Sequence, residues 1–431
     1  MLRPLIRFSN WLLFAALLVV LSSRVNAEFT PIAGWDRQLF PSHLIATATI
    51  RTADVQADQE AEDDSDEGDE RSDDEAEEQD ANDGEDDGAQ LLGDRQGVLG
   101  VMITTPGDDV PVTVTISGDA VVETSTFSGT LASEGTTYAV FPKIKYKYDV
   151  LIGNKQPVPV SVTFEVEVGE EDVEEQTVTM TLRSLNDCPF TIAHADGSVT
   201  DVSFIFAAYV NEQHPFVDKL LREALDGGAV DSFTGYQSGE AAEVYRQVYA
   251  LWHALSQRDV RYSNITTSAA ENHVVSSQHV RLIDESINNA QANCVDGSVL
   301  FASLLRKIDI EPVLVFVPGH CYLAFFPDAE GKELVALETT LIGSSIEDGP
   351  TEIAGLKDVV DDNWRKQSSW ATFCAAIAMG TDDFAKNQGK FNDPADTDYQ
   401  TISIAAARKL GILPIAFDSD EEFESVTSED E

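Results

Sequence analysis

Three residues between Asn293 and Gly343 have the types and order that thiol chemistry requires: Cys294, His320 and Glu338. A thiol nucleophile needs a base to take its proton and a carboxylate to hold that base in one tautomer. Cys294 opens a segment in which Val295, Val299, Ala302, Leu305 and Ile308 recur at helical spacing, with Asn293 at the N-cap position. The partial positive charge at a helix start stabilises a thiolate. Arg306 and Lys307 fall in the last turn, where the helix dipole favours cations. Gly297, inside this helix, points to the close approach of another backbone.

The elements that would carry the other two residues follow directly. Val313–Val317 is an apolar, valine-rich run and reads as a buried strand. Cys321–Phe326 and Glu333–Thr339 read as two more, joined through the turn-forming residues 327–331. With Phe326 and Lys332 flanking that loop, His320 stands directly across from Glu338, on one face, with Cβ atoms about 5 Å apart. A slip of one residue would put the two on opposite faces. The backbone N–H of Cys294 would be one oxyanion donor, and Gln278 or Tyr262 could offer another, although a structural hydrogen bond is the first reading of each of those two side chains. A lone cysteine is usually an inert small hydrophobe; the combination of helix start and strand register is what points to a site.

These residues resemble the pattern of the transglutaminase-like superfamily, whose core is a papain-like cysteine fold. The resemblance runs over about residues 205–345. It is carried by Cys294-Val295-Asp296, Leu304-Leu305-Arg306-Lys307, Ile310-Glu311-Pro312, Gly319-His320 and Glu338-Thr339, preceded by Val260-Arg261-Tyr262 and Gln278-His279-Val280-Arg281. It implies a bacterial exported member with Cys294, His320 and Glu338 as its catalytic residues. Three positions depart from the pattern. Ala292 replaces the usual glycine, Glu338 stands where aspartate is commoner, and Cys321 follows the histidine.

Arg3 and Arg7, the apolar run Trp11–Leu21 and Val25-Asn26-Ala27 read as a signal peptide over 1–27. Its apolar core is short for a membrane span, and no other segment is apolar enough, so no span is expected after signal cleavage. The chain is then exported: secreted, periplasmic or part of the cell envelope. Residues 28–200 read as an all-β domain. Its strands are expected at Leu44–Ile50, Gly97–Thr105, Val110–Ile116, Tyr138–Phe141, Val158–Val168 and Gln176–Leu182. Short strands at this spacing suggest an immunoglobulin-like β-sandwich. An acidic tract, residues 55–95, interrupts it as a disordered loop; Asp58–Asp87 holds 19 acids and one arginine.

A net charge of −48 over 431 residues argues against nucleic-acid and anionic-membrane partners. Asp80–Gly88 lacks the ligand spacing of an EF-hand, and no CxxC or HxxxH pattern suggests zinc, so no cofactor or metal is expected. Helices are expected at Pro215–Leu225, Glu240–Gln257, Trp370–Met379 and Ile402–Leu410. The four cysteines do not make a disulfide framework, and in the register above Cys321 points away from His320.

The expected fold class is therefore multidomain β plus α+β. A sandwich over 28–200 precedes a transglutaminase-like domain over 201–417 and an acidic disordered tail over 418–431. The expected function is thiol-dependent acyl transfer on a protein or peptide substrate, with hydrolysis of amide bonds ahead of amine cross-linking because no amine site is legible. The alternative is a catalytically silent binding or scaffolding protein of the cell envelope. The oligomeric state is open.

Overall fold

The computed structural model describes residues 29–50, 89–118, 120–170, 172–264, 273–346, 349–356, 358–391, 398–416 and 422–423. The signal peptide, nearly all of the acidic tract and most of the acidic tail lie outside the described residues.

The first part of the chain builds two sheets whose buried faces join one core. One has the strand order Phe29–Ala33, Leu99–Thr104, Thr137–Phe141, Gln90–Gly93. The other runs Gln38–Leu39, Glu174–Leu182, Val158–Val168, Val110–Gly118, Val122–Leu131, Lys145–Tyr146. Alternation sets the inner face: Val160, Val162, Phe164, Val166 and Val168 are buried, while Ser161 and Glu167 face solvent. On outer faces, threonines pair across strands, as in Thr115–Thr126 at 3.2 Å and Thr163–Thr177 at 2.9 Å.

Two short helices correct the all-β expectation. The expected strand Leu44–Ile50 is instead the end of a helix, Pro41–Ala46, and the turn after it. Pro41 at the first helical position presets φ for a helix. All six helical residues are buried, and Ser42 Oγ donates to the Asp187 carbonyl at 2.7 Å. A short apolar run fits a buried strand or a buried helix equally, and packing decided. Tyr148–Gly153 is also helical.

Strands Val199–Asp201, Asp187–Ala193 and Val275–His279 form a three-stranded antiparallel sheet, in which Cys188 faces Gln278. Residues that continue directly from the first part of the chain thus become one wall of the site described below.

The site itself rests on a four-stranded antiparallel sheet, ordered Val335–Leu337, His320–Phe325, Pro312–Val317, Gln400–Ser403. Its fourth strand corrects the expected helix Ile402–Leu410: residues 400–403 pair with 313–316, and the helix is only Ile404–Lys409. The helix Cys294–Lys307 packs on this sheet and is buried around its circumference from Val295 to Leu305. It is a central helix, not a half-exposed one, because the helix Ala241–Gln257 covers its other side, with Trp252 and Phe301 rings 6.1 Å apart.

The helix Ser368–Asn387 runs across the sheet edge, longer than the expected Trp370–Met379. A Cβ added at Gly380 would lie 2.8 Å from the carbonyl carbon of Ala336 and 2.9 Å from the amide nitrogen of Leu337. Gly380→Ala gains about 1 kcal/mol of helix propensity. It also drives backbone against backbone, an overpacking that costs about 1–3 kcal/mol. A net loss of stability is expected, read as a lower midpoint in thermal melts.

Candidate active site

Cys294 takes the first position of its helix through a two-way cap. Asn293 Oδ1 accepts from the Asp296 amide at 2.9 Å, and Asp296 Oδ2 accepts from the Asn293 amide at 2.9 Å. Asp296 is fully buried, and it also accepts from the Arg281 amide at 2.8 Å and from Arg281 Nη1 at 2.6 Å. Burial pushes its carboxyl up from the usual aspartate value, against the hydrogen bonds from Asn293 and Arg281. One carboxylate thereby fixes the helix start and the strand exit that precedes it. The pattern Asn-x-x-Asp before an apolar run carries the signal for this box. Gly297 does lie under a close approach, but of a side chain and not of a backbone: an added Cβ would sit 3.2 Å from Thr339 Oγ1.

The hairpin register differs from expectation by two residues. Leu323 pairs with Leu337, Ala324 with Ala336 and Phe325 with Val335, so Glu338 falls diagonal to His320 and not directly across. The cause is the loop, which spans 326–334 where residues 327–331 were expected. Asp328 accepts from the amides of Lys332 at 3.1 Å and Glu333 at 3.3 Å, which delays the return strand. A slip of two residues keeps both side chains on one face. Glu338 then leaves the sheet as the cap of a short turn, with Oε1 accepting from the Thr340 amide at 3.0 Å and the Thr340 hydroxyl at 2.6 Å. Its other oxygen reaches His320 Nε2 at 2.7 Å.

His320 and Cys294 line one cleft. The hydrogen bond with Cys294 is the first cause, and that with Glu338 the second, of an imidazole pKa pushed up from 6.5 to about 10, against desolvation. Burial alone would raise Glu338, but the bonds from His320 and Thr340 outweigh it and hold the carboxyl below its ordinary value. A raised imidazole stabilises the fold fully below 6.5, and that contribution is lost as pH rises through about 10. The lowered Glu338 adds stability at pH values above its unfolded pKa, lost as pH falls through the native one. In an NMR titration, His320 is expected to stay imidazolium through neutral pH, and Glu338→Gln to lower its midpoint.

Cys294 and His320 are partly exposed, and Glu338 is buried beneath them. Both open onto a cleft of about 210 Å3. Gln278 lines the same cleft, and its Nε2 donates to the neighbouring His279 carbonyl at 3.0 Å. Tyr262 is exposed on the short strand Arg261–Tyr262, beside Gln291–Ala292, which leads into Cys294. Desolvation first, then the charges of Cys294 and Glu338, raise its phenol; Tyr262 does not line the cleft. A larger cavity of about 570 Å3 lies elsewhere, lined by residues such as Glu243, Arg246 and Trp364 and by no cysteine or histidine.

All four cysteines are free thiols, with Cys188, Cys321 and Cys374 buried. Among the described residues no cluster of three or more His, Cys, Asp or Glu could hold a metal ion, and no helix is long and apolar enough to cross a membrane.

No protein-family model matches the sequence, and no curated protein does. Among solved structures, the chain is similar to one from Cytophaga hutchinsonii described as a putative cysteine protease, with 12% identity over 55% of this chain and 73% of that one. The TM-score of 0.21 is too low to define a common fold, so the reading of the site rests on its own geometry.

Proposed function

We propose that the protein is an exported thiol hydrolase acting on amide bonds of peptides, with Cys294 as nucleophile, His320 as acid–base and Glu338 as the orienting carboxylate. In this reading an immunoglobulin-like sandwich precedes a domain of transglutaminase-like, papain-like build. The observation that carries the function is the 2.7 Å bond between His320 and Glu338 on the cleft that His320 shares with Cys294, a cysteine at a helix start.

In the proposed reaction the Cys294 thiolate attacks the substrate carbonyl carbon, and the C–N bond breaks to leave a thioester. The His320 imidazolium gives its proton to the departing amine. Water then attacks the thioester and the S–C bond breaks. His320 takes the water proton, and the carboxylic acid leaves. The Cys294 backbone N–H, at a helix start, and the Gln278 or Tyr262 side chain are the proposed donors to the oxyanion. Water is the favoured acceptor over an amine because it is always present in an open cleft. A silent scaffold would be favoured by mis-registered triad parts, a disulfide at Cys294 or no cleft reaching it; the His320–Glu338 bond, the free Cys294 thiol and the cleft beside it support the enzyme reading.

Alkylation by iodoacetamide tests the pair directly. Cys294 is expected to react at neutral pH faster than a free thiol, and His320→Ala to slow it by about tenfold or more. A rate no higher than that of a free thiol, or one indifferent to His320, would refute the pairing.

A further inference from the structure

The cleft beside Cys294 has a composition that selects what can lie in it. Its floor is a run of three phenylalanines. Phe190 and Phe206 rings are 6.2 Å apart, and Phe206 and Phe316 rings 4.7 Å apart. Phe206 is buried, whereas Phe190 and Phe316 are only partly so and keep apolar surface for a ligand. A volume of about 210 Å3 lies below the ~300–1,000 Å3 of pockets that enclose whole small molecules. It suits one or two side chains of an extended peptide.

Apart from His320, the charge on the walls is negative. Among the described residues Asp201 and Asp398 line the cleft, and no lysine or arginine does. The imidazolium of His320 is already engaged by Glu338. Asp201 is held in place by two bonds, from the Ser203 amide to Oδ1 at 2.8 Å and from Gln400 Nε2 to Oδ2 at 2.8 Å. The Ser203 hydroxyl in turn donates to Gln400 Oε1. Asp201 is exposed, so its carboxylate keeps acceptor sites that face solvent. A carboxylate locked from two elements beside an aromatic floor is the wall a cationic side chain would meet.

Resting on the reading of Cys294 as the nucleophile, we infer that the preferred substrate is a peptide carrying an aromatic or apolar side chain next to an arginine or lysine, the first on the phenylalanine floor and the second against Asp201 and Asp398.

Binding to the Cys294→Ala full-length protein tests this without relying on turnover. The probes are dye-labelled, end-blocked tetrapeptides containing Phe-Arg, Arg-Phe, Phe-Gln and Phe-Glu, followed by fluorescence anisotropy. A partly exposed ion pair gains little, and a like charge loses a comparable amount. The Arg peptides are therefore expected to bind about tenfold tighter than the Phe-Glu peptide, with Phe-Gln between. Asp201→Asn and, separately, the exposed Asp398→Asn should shrink that ratio while leaving Phe-Gln binding unchanged, and 0.5 M NaCl should shrink it in the unsubstituted aspartate background. Equal binding of all four peptides, no binding to any of them, or a ratio that survives both substitutions would overturn the inference. Failure of the catalytic reading is separately visible: the Arg preference would persist while protein with Cys294 intact hydrolyses none of the peptides.

Discussion

His320→Ala lowers hydrolysis at Cys294 by about 10²–10⁴-fold, the range that a positioned acid–base contributes. The imidazole is proposed to act twice, protonating the leaving amine and then activating water, and among the described residues no other histidine lines the cleft to replace it. Glu338→Gln should cost less than this, because an amide can still accept a hydrogen bond from Nε2 but cannot stabilise the imidazolium by charge. Some stability should be lost too, because the buried Glu338 loses its ion partner, but the fold should persist. The His320 side chain is one-third exposed, so its removal opens no sealed cavity. Steady-state rates with a peptide amide, alongside thermal melts of each variant, check both halves of the expectation. Loss of folding together with activity would instead make His320 a structural residue.

Asp296→Ala is expected to produce the largest loss of stability of any single change near the site, about 3–5 kcal/mol. The carboxylate is fully buried, accepts from two backbone amides and pairs with Arg281 at 2.6 Å. Removing it leaves a guanidinium that is only 15% exposed without this partner, and it unmakes one half of the helix cap. Each kcal/mol shifts the melting midpoint of a domain of this size by about 2–4 °C, so a fall of roughly 10 °C is expected. Cys294 should also react more slowly with alkylating agents, because the frayed first turn no longer fixes the thiol on the cleft it shares with His320. A melt within about 2 °C of the parent would contradict this account of the helix start.

Much of the site was legible because its parts are local. The helix start at Cys294 follows from Asn293 and the 3–4 spacing after it. Placing His320 and Glu338 on one face follows from strand parity, which survives a register error of two residues but not of one. The register itself was missed because Asp328 holds the amides of Lys332 and Glu333, and nothing in the turn residues shows where that side chain points. The strand at Gln400–Ser403 was merged into the helix after it because Ile402 and Ile404 continue the same apolar pattern. Leu44–Ile45 looked like a strand for a related reason, and full burial on a helix settled it. Of Phe190, Asp201, Gln278 and Gln400 on the cleft walls, only Gln278 was singled out from the sequence. Phe190 and Asp201 come from chain far before Cys294, and Gln400 from far after it. Only tertiary pairing of Asp187–Ala193 with Val275–His279 brings the first two together with Gln278.

The most direct measurement is a search for the covalent intermediate. Full-length protein lacking the signal segment would be mixed with an activated ester of an end-blocked Phe-Arg peptide and followed by intact-mass spectrometry and peptide mapping. The expected result is one acyl group on the fragment containing Cys294, formed in a burst and discharged by water, absent in Cys294→Ala and persistent or slow to form in His320→Ala. Acylation of other residues only, or none above the rate of a free thiol, would contradict the assignment of Cys294 as the nucleophile.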